Sequence, residues 1–123
     1  MQLNLERPDY DYFLRGADGA SALVNDRRLT RSFIIAPDRL IEDWPARDMT
    51  TLTVADLEPM LALQPELIVL GAGAAQAFAP AQTQATCLSR GIGLEMMTNA
   101  AAARTFNVLA SEGRRVVAGF VIA

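Results

Sequence analysis

Residues 67–73 read LIVLGAG, a continuous apolar run that ends in a glycine-alanine-glycine turn. A short apolar run without alternation is typical of a strand that is buried on both faces. Residues 92–97 and 116–122 form two further apolar segments of strand length. Helical patterns separate the three runs, and strands that alternate with helices favour right-handed crossovers. The order therefore predicts an α/β domain whose sheet is mostly parallel and covered on both faces.

Three helices are predicted around these strands. They comprise a helix capped by Thr53, with Asp56 in its first turn and Pro65 beyond its end, a helix near residues 81–90 closed by Gly91, and a helix over residues 100–111 capped by Thr98 or Asn99. Threonine and asparagine are common N-caps, while glycine and proline commonly follow helix ends.

The first third of the chain has a strand-like texture. Residues 21–24 and 27–36 read as two arms of a β-hairpin around Asn25-Asp26, and a short strand is expected at residues 39–42. A turn is expected at residues 16–19. Residues 1–15 are interpreted as an N-terminal docking tail, and residues 16–123 as a single α/β domain.

Composition excludes several kinds of chemistry. The chain has 123 residues, a net charge of −3, no histidine, and 11 basic residues that are all arginine. Histidine bases, histidine metal ligands and lysine Schiff bases are therefore absent. We expect no catalytic residues, no cofactor and no metal, and hence no enzymatic activity. Fourteen acids against 11 dispersed arginines argue against nucleic-acid binding.

The expected location is the cytoplasm. The N-terminus lacks the basic and apolar regions of a secretory signal, and no apolar run approaches the roughly 20 residues that span a bilayer. The single cysteine, Cys87, cannot form an internal disulfide, and a free thiol suits a reducing compartment.

Gly71 and Gly73 resemble part of a dinucleotide-binding loop. The third glycine of that fingerprint is replaced by Gln76, and the next helix starts only after Pro80. A tight chain reversal with positive φ is the favoured interpretation.

Thr98-Asn99 could offer free amides to an anion at the start of the following helix, although simple capping is the commoner use of such residues.

Two further residues allow a structural or a functional interpretation. Glu95 stands in an apolar strand and is expected to form a buried ion pair with Arg104 or Arg114 rather than to act as a catalytic carboxylate. Cys87 is expected to be a packed core residue, because no histidine is present to activate it.

Residues 93–109 and 112–116 resemble the signature of a widespread family of small proteins of unknown function. This family includes the mitochondrial assembly factor of respiratory complex I (NADH dehydrogenase). The resemblance implies a three-layer α/β/α fold with a central mixed sheet of about five strands, one of them antiparallel to the others, plus an N-terminal β-hairpin. It implies no established enzymatic activity. Relatives often carry basic residues between the Gly-x-Gly and Phe-x-Pro motifs, whereas residues 74–77 are uncharged here.

Three functions remain open at this point. The first is a non-enzymatic interaction module that binds a protein partner. The resemblance suggests that this module is an assembly factor for a membrane respiratory complex. A domain that binds a small anionic ligand at the carboxyl ends of the strands is the second, and an enzyme that uses Glu95 or Cys87 is the third. The expected ligand or partner site comprises Gly71, Gly73, Phe78, Thr98, Asn99 and Arg104.

Overall fold

A computed structural model of the protein describes residues 10–122, and its helices alternate with strands in the second half of the chain as expected. The strands are β1 (Leu14–Ala17), β2 (Ala22–Val24), β3 (Arg27–Leu29), β4 (Phe33–Ala36), β5 (Arg39–Ile41), β6 (Leu67–Gly71), β7 (Gly93–Met97) and β8 (Val116–Phe120). The helices are α1 (Val54–Leu61), α2 (Ala81–Ser89) and α3 (Asn99–Ser111), and a 3₁₀ turn covers Met49–Thr51.

The strands form two sheets. One has three antiparallel strands in the order β1-β2-β3, and the other has five strands in the order β5-β4-β8-β6-β7. In the larger sheet β6 runs parallel to both neighbours, so that Val69 lies opposite Ala118 on one side and Glu95 on the other. Strand β4 runs antiparallel to both β8 and β5. Within the described residues the sheet is therefore mixed, with β4 alone opposed to the others, which confirms the topology implied by the resemblance.

Successive side chains of the central strands enter two different cores. Leu67 and Val69 of β6 pack with Phe106 of α3 and with the smaller sheet. Ile68 and Leu70 point to the other face, where they pack with α1 and α2. This alternation explains why β6 is apolar throughout, because both of its faces are covered. The predicted three-layer α/β/α arrangement is confirmed, with the smaller sheet beside α3.

The prediction that residues 27–36 form a single strand, the second arm of the hairpin, is wrong. The turn at Asn25-Asp26 is present, but the arm divides into β3 in the smaller sheet and β4 in the larger one. Ser32 lies at the division, where its hydroxyl donates to the Ile122 carbonyl (3.3 Å) and accepts from the Ile122 amide (2.8 Å). These contacts hold the division between the two strands against the segment after β8, and such a distant partner leaves no local pattern.

Strand β1 was not predicted, since its residues fell at the end of the expected tail and in the expected turn at residues 16–19. It pairs with β2. Asn107 of α3 fixes Leu14 from both sides: its Oδ1 accepts from the Leu14 amide (2.9 Å) and its Nδ2 donates to the Leu14 carbonyl (2.6 Å). The strand thus depends on a residue 93 positions away. Residues 1–9 of the predicted tail lie outside the described part of the chain.

The helix starts follow the sequence signals closely. Thr53 forms a capping box, in which its hydroxyl accepts from the Asp56 amide (3.2 Å) and the Asp56 carboxylate accepts from the Thr53 amide (2.9 Å).

The three helices of residues 10–122 have 8, 9 and 13 residues. None of them combines the length and apolar character needed to cross a membrane.

Candidate functional site

The predicted glycine loop and the start of α3 lie together at the carboxyl ends of the parallel strands β6 and β7. Gly71 is the last residue of β6, Gly73 follows in the loop, and Thr98 is the N-cap of α3. The Asn99 amide donates to the Gly73 carbonyl (2.8 Å), and the Asn99 Oδ1 accepts from the Gly73 amide (3.2 Å). This contact follows from the parallel pairing of β6 and β7, which brings the two loops to the same edge.

The Asn99 side chain joins three segments of the chain. It is fully buried. Besides contacting Gly73, its Nδ2 donates to the Asp18 carbonyl and to the Val121 carbonyl, each at 3.0 Å. Both amide hydrogens and the oxygen are therefore used internally. Asn99 connects the β1–β2 loop, the loop after β6 and the segment after β8, and its burial keeps it out of the reach of a ligand.

The prediction that α3 offers free amides to an anion is wrong for two of its first three residues. The Asn99 amide is bonded to Gly73, as above, and the Ala101 amide donates to the Thr98 hydroxyl oxygen (3.3 Å). These bonds satisfy donors that a helix start otherwise leaves open. The capping interpretation of Thr98 is confirmed, because its side chain makes the expected cap contact.

Packing and backbone geometry account for both glycines. A Cβ on Gly71 would lie 2.2 Å from the Asn99 Oδ1 and 3.1 Å from a ring carbon of Phe120. Gly73 has φ of +106°, which confirms the predicted tight reversal with positive φ. Gly71 therefore makes room for the Asn99 side chain, and Gly73 turns the chain toward it.

Phe78 and Arg104 were expected to join this site, but neither contributes to the cavity beside it. Phe78 is 61% exposed, and Arg104 is exposed on α3. Of the predicted site residues, only Gly73 lines this cavity. No signal in the sequence indicated the other lining residues, most of which belong to the β1–β2 loop and to residues 47–49. The cavity has about 590 Å³ and is lined by Asp18, Gly19, Ala20, Arg47, Asp48, Met49, Ala72, Gly73, Ala74 and Val121.

The charges of that cavity do not favour an anion. Hydrogen bonds from the backbone amides of Ala20 and Ser21 lower the pKa of Asp18. The hydroxyl and the amide of Thr50 lower the pKa of Asp48. Both carboxylates are therefore ionised at neutral pH, and they oppose the single guanidinium of Arg47.

The predicted buried ion pair of Glu95 is wrong. Strand β7 is an edge strand, and Glu95 is exposed on it. Among residues 10–122, no ion pair includes Glu95, while Arg114 Nη2 lies 3.7 Å from Glu66 Oε2. The sequence shows an apolar strand around Glu95 but not its place at the border of the sheet.

We expect Glu95→Gln to change the free energy of unfolding by less than about 0.5 kcal/mol, as is usual for an exposed position without a partner. Urea denaturation followed by circular dichroism would measure the change. A loss of several kcal/mol would show that the carboxylate has a buried partner after all.

Cys87 is a packed core residue, as predicted. Its thiol is buried on the face of α2 that packs against the larger sheet. Burial raises the pKa of the Cys87 thiol above its ordinary value, so the thiolate is disfavoured at neutral pH.

Comparison with known proteins gives a consistent family and fold. The family model described as "Protein of unknown function (DUF498/DUF598)" matches residues 15–121. A Xanthomonas campestris protein solved by NMR is 54% identical, covers 99% of this chain and 92% of its own, and has a TM-score of 0.85. A Bordetella pertussis protein described as a Mth938-like domain is 25% identical over 98% of this chain and 92% of its own, with a TM-score of 0.82. No curated protein is significantly similar. The chain therefore belongs to the DUF498/DUF598 family of proteins of unknown function.

Proposed function

We propose that the protein is a non-enzymatic interaction module that binds a protein partner through one uncharged surface. We call this surface the neutral face and define it as the exposed residues of the loop 74–80 and of helix α2. The observation that carries the proposal is the exposure of two large apolar side chains there, Phe78 at 61% and Leu88 at 71%. No charged residue occurs between Glu66 and Arg90. Interface cores are likewise poor in charge and enriched in aromatic residues.

Helix α2 presents its two sides very differently. Thr83 and Cys87 are buried toward the protein, whereas Ala81, Ala85 and Leu88 are exposed at helical spacing. Single exposed apolar residues are ordinary on a soluble protein. Here, however, the exposed apolar residues of α2 and the exposed Phe78 belong to one uncharged segment of the chain. A partner suited to it has an apolar, uncharged surface of its own.

The loop that carries Phe78 is held in place by several contacts. Gln76 Nε2 donates to the Met96 carbonyl (3.0 Å), and the Ala79 amide lies 3.3 Å from the Met96 sulfur. Gln84 Nε2 donates to the Ala79 carbonyl (2.8 Å). A side chain presented on an anchored loop loses little conformational freedom when it binds, which favours affinity.

The partner that we propose is a subunit of a membrane respiratory complex before its assembly in the cytoplasm. This class comes from the sequence resemblance to a family that includes a complex I assembly factor, and an unassembled subunit has the apolar surface that the neutral face requires. The lack of histidine and lysine, together with the buried thiol of Cys87, supports binding rather than catalysis.

No observation favours a small anion at the carboxyl end of the sheet as a second candidate function. The amide of Asn99 and its side chain are bonded internally. The neighbouring cavity carries the two carboxylates of Asp18 and Asp48.

A photo-crosslinking amino acid at position 78 or 88 should capture a protein in the native cells, whereas the same amino acid at position 108 should not. Val108 is the matched control, because it is also apolar and 55% exposed but lies on α3. Mass spectrometry of the crosslinked product identifies the partner. Equal capture from all three positions, or capture from position 108 alone, would contradict the proposed surface.

A further inference from the structure

Within residues 10–122 the two sheets have four edge strands, and three of these strands are protected against pairing with another chain. Strand β1 contains a bulge between Leu14 and Gly16, and the side chain of Asn107 bonds to the backbone of Leu14. Strand β3 has three residues, two of which are exposed arginines. Strand β5 also has three residues and begins at the exposed Arg39. Bulges, short length, covering contacts and charged side chains are the usual means of blocking a sheet edge.

Strand β7 has the least protection of the four. It has five residues, pairs with β6 in a continuous register without a bulge, and contains no proline. Its only charged residue is Glu95, and its apolar residues Leu94 and Met96 are half-buried. We call the side of β7 that faces away from β6 the open edge.

Alternate residues of β7 direct their backbone groups toward β6. The Gly93 amide donates to the Glu66 carbonyl (3.2 Å), and the Ala72 amide donates to the Met97 carbonyl (2.7 Å). Successive residues of a strand direct their amide and carbonyl groups to opposite sides. The residues at the even positions of β7 therefore face away from β6.

These even positions, Leu94 and Met96, present their backbone groups at the open edge. A contact of Gln76 agrees with this direction, because its Nε2 donates to the Met96 carbonyl (3.0 Å) from outside the sheet. The amide and carbonyl of Leu94 and the amide of Met96 are left for a further strand. An extended backbone is the ligand that satisfies such a row of groups.

Glu95 disfavours a second copy of this chain as that further strand. Two copies of β7 that pair antiparallel about a twofold axis use the whole open edge only when Leu94 of one copy lies opposite Met96 of the other. That register places the two Glu95 side chains directly opposite each other on one face, where like charges destabilise the pair. The same carboxylate attracts a basic residue of a different chain.

We propose that the open edge binds an extended segment of a partner protein as an additional strand, with a lysine or arginine opposite Glu95 and an apolar residue on either side of it. Directly opposite residues share a face of the sheet, so the basic side chain lies beside Glu95. Among residues 10–122, Glu95 takes part in no ion pair that would compete.

The flanking apolar residues of the segment lie on the other face of the sheet. Leu94 and Met96 point to this face, where they pack against the core shared with α1 and α2. Main-chain hydrogen bonds supply the affinity of such a contact, and the alternating side chains supply its specificity.

A protein as the occupant follows from the proposed function, and the open edge borders the neutral face at Gln76. The two surfaces differ in their chemistry, since the neutral face has no charge and the open edge selects a basic residue at Glu95. Each surface can therefore be altered without the other.

The test uses the synthetic peptide Thr-Val-Arg-Val-Thr and a counterpart with glutamate in place of arginine, each titrated to millimolar concentration into the isotope-labelled protein. We expect the arginine peptide to shift the NMR signals of the Leu94 and Met96 amides and to slow their hydrogen exchange, which a contact through side chains alone would not do. It should bind about tenfold more tightly than the glutamate peptide, because Glu95 attracts one central residue and repels the other.

Variants of Glu95 test the charge requirement. Glu95→Gln should weaken binding of the arginine peptide about fivefold, which corresponds to about 1 kcal/mol for a cross-strand charge pair. Glu95→Arg should reverse the preference, so that the glutamate peptide binds more tightly. Glu58→Gln is the matched control, because it removes the same charge from an exposed position on α1 and should leave binding unchanged.

The proposal is wrong if the arginine peptide does not bind, if the two peptides bind equally, or if Glu58→Gln weakens binding as much as Glu95→Gln. It is also wrong if a peptide methylated on every backbone amide binds as well as the unmodified one, since that peptide cannot donate to the strand. A dimer of the free protein in which the Leu94 and Met96 amides exchange slowly would show that a second copy occupies the open edge.

The outcome at the open edge is distinguishable from the outcome at the neutral face. Phe78→Ser should leave peptide binding unchanged, because it alters the neutral face alone. If photo-crosslinking from position 78 or 88 fails while the arginine peptide binds, the neutral face is wrong and the open edge stands.

Discussion

Replacing Asn99 with alanine should lower the free energy of unfolding by about 3–5 kcal/mol. The change removes the partners of the Gly73 amide and of the Asp18 and Val121 carbonyls. Each buried polar group left without a partner costs about 1–3 kcal/mol. The Asp18 carbonyl should cost the least of the three, because Asp18 is exposed and water can replace the lost hydrogen bond. Because domains are typically stable by about 5–15 kcal/mol, the variant should be close to unfolding at physiological temperature. Urea denaturation monitored by circular dichroism measures the loss.

Asn99→Asp provides a control that keeps the size of the side chain. It retains an oxygen toward the Gly73 amide but places a second oxygen against the Asp18 and Val121 carbonyls. Burial and these oxygens would raise the pKa of the introduced carboxyl in the folded state. Its contribution to stability is then present below the unfolded pKa of about 4 and is lost as pH rises through the folded pKa.

The difference in unfolding free energy between Asn99→Asp and the unmodified protein should therefore widen from about pH 4 to about pH 7. Native carboxyl groups such as Asp18 and Asp48, whose pKa values are lowered in the unmodified protein, are present in both proteins, so taking the difference reduces their contribution. A difference that does not depend on pH would show that the introduced carboxyl is not buried among the carbonyls.

Local sequence patterns were sufficient to predict the elements whose formation depends on residues close together in the chain. The apolar run of β6 and the N-cap at Thr53 appear in the structure where the sequence predicts them, and the structure adds that Thr53 and Asp56 form a capping box. In both cases the physical cause lies within a few neighbouring residues, namely continuous burial for the strand and reciprocal side-chain contacts for the helix. Such causes can be read from a single sequence.

The elements that were missed depend on distant partners. Strand β1 is bonded to Asn107, and the residue between β3 and β4 is bonded to Ile122, in the segment after β8. The prediction that Glu95 is buried was wrong because the sequence of a strand does not determine its position in the sheet.

The candidate site shows the same limit. The proximity of Gly73 and Asn99 followed from topology, and the structure confirms it. Whether the polar atoms of Asn99 face a ligand or the chain could not be decided from the sequence, because the Asp18 and Val121 carbonyls that occupy them come from distant loops. Arg47 was missed because it lies in an irregular segment without a motif.

Gly71→Ala is expected to lower the free energy of unfolding by about 3 kcal/mol, at the upper end of the cost of overpacking a core. The added methyl carbon would lie 2.2 Å from the Asn99 Oδ1. Asn99 cannot move aside without breaking its hydrogen bonds, and Gly71 itself is fixed at the end of β6 by the pairing of that strand with β8 and β7. Gly16→Ala is the matched control, since a Cβ there meets no atom within 4 Å. It should change stability by less than about 1 kcal/mol in the same denaturation experiment.

A double-mutant cycle then identifies the cause of the loss. In the Asn99→Ala background the conflicting oxygen is gone, so Gly71→Ala should cost only the smaller amount that arises from the 3.1 Å approach to Phe120. The combined loss should fall short of the sum of the single losses by about 2 kcal/mol, within the range observed for residues in contact. Additive losses would mean that Gly71 is required for a reason other than Asn99. Strong coupling would show that Gly71 at the end of β6 is required for internal packing, since the space beside it is filled by the side chain of Asn99.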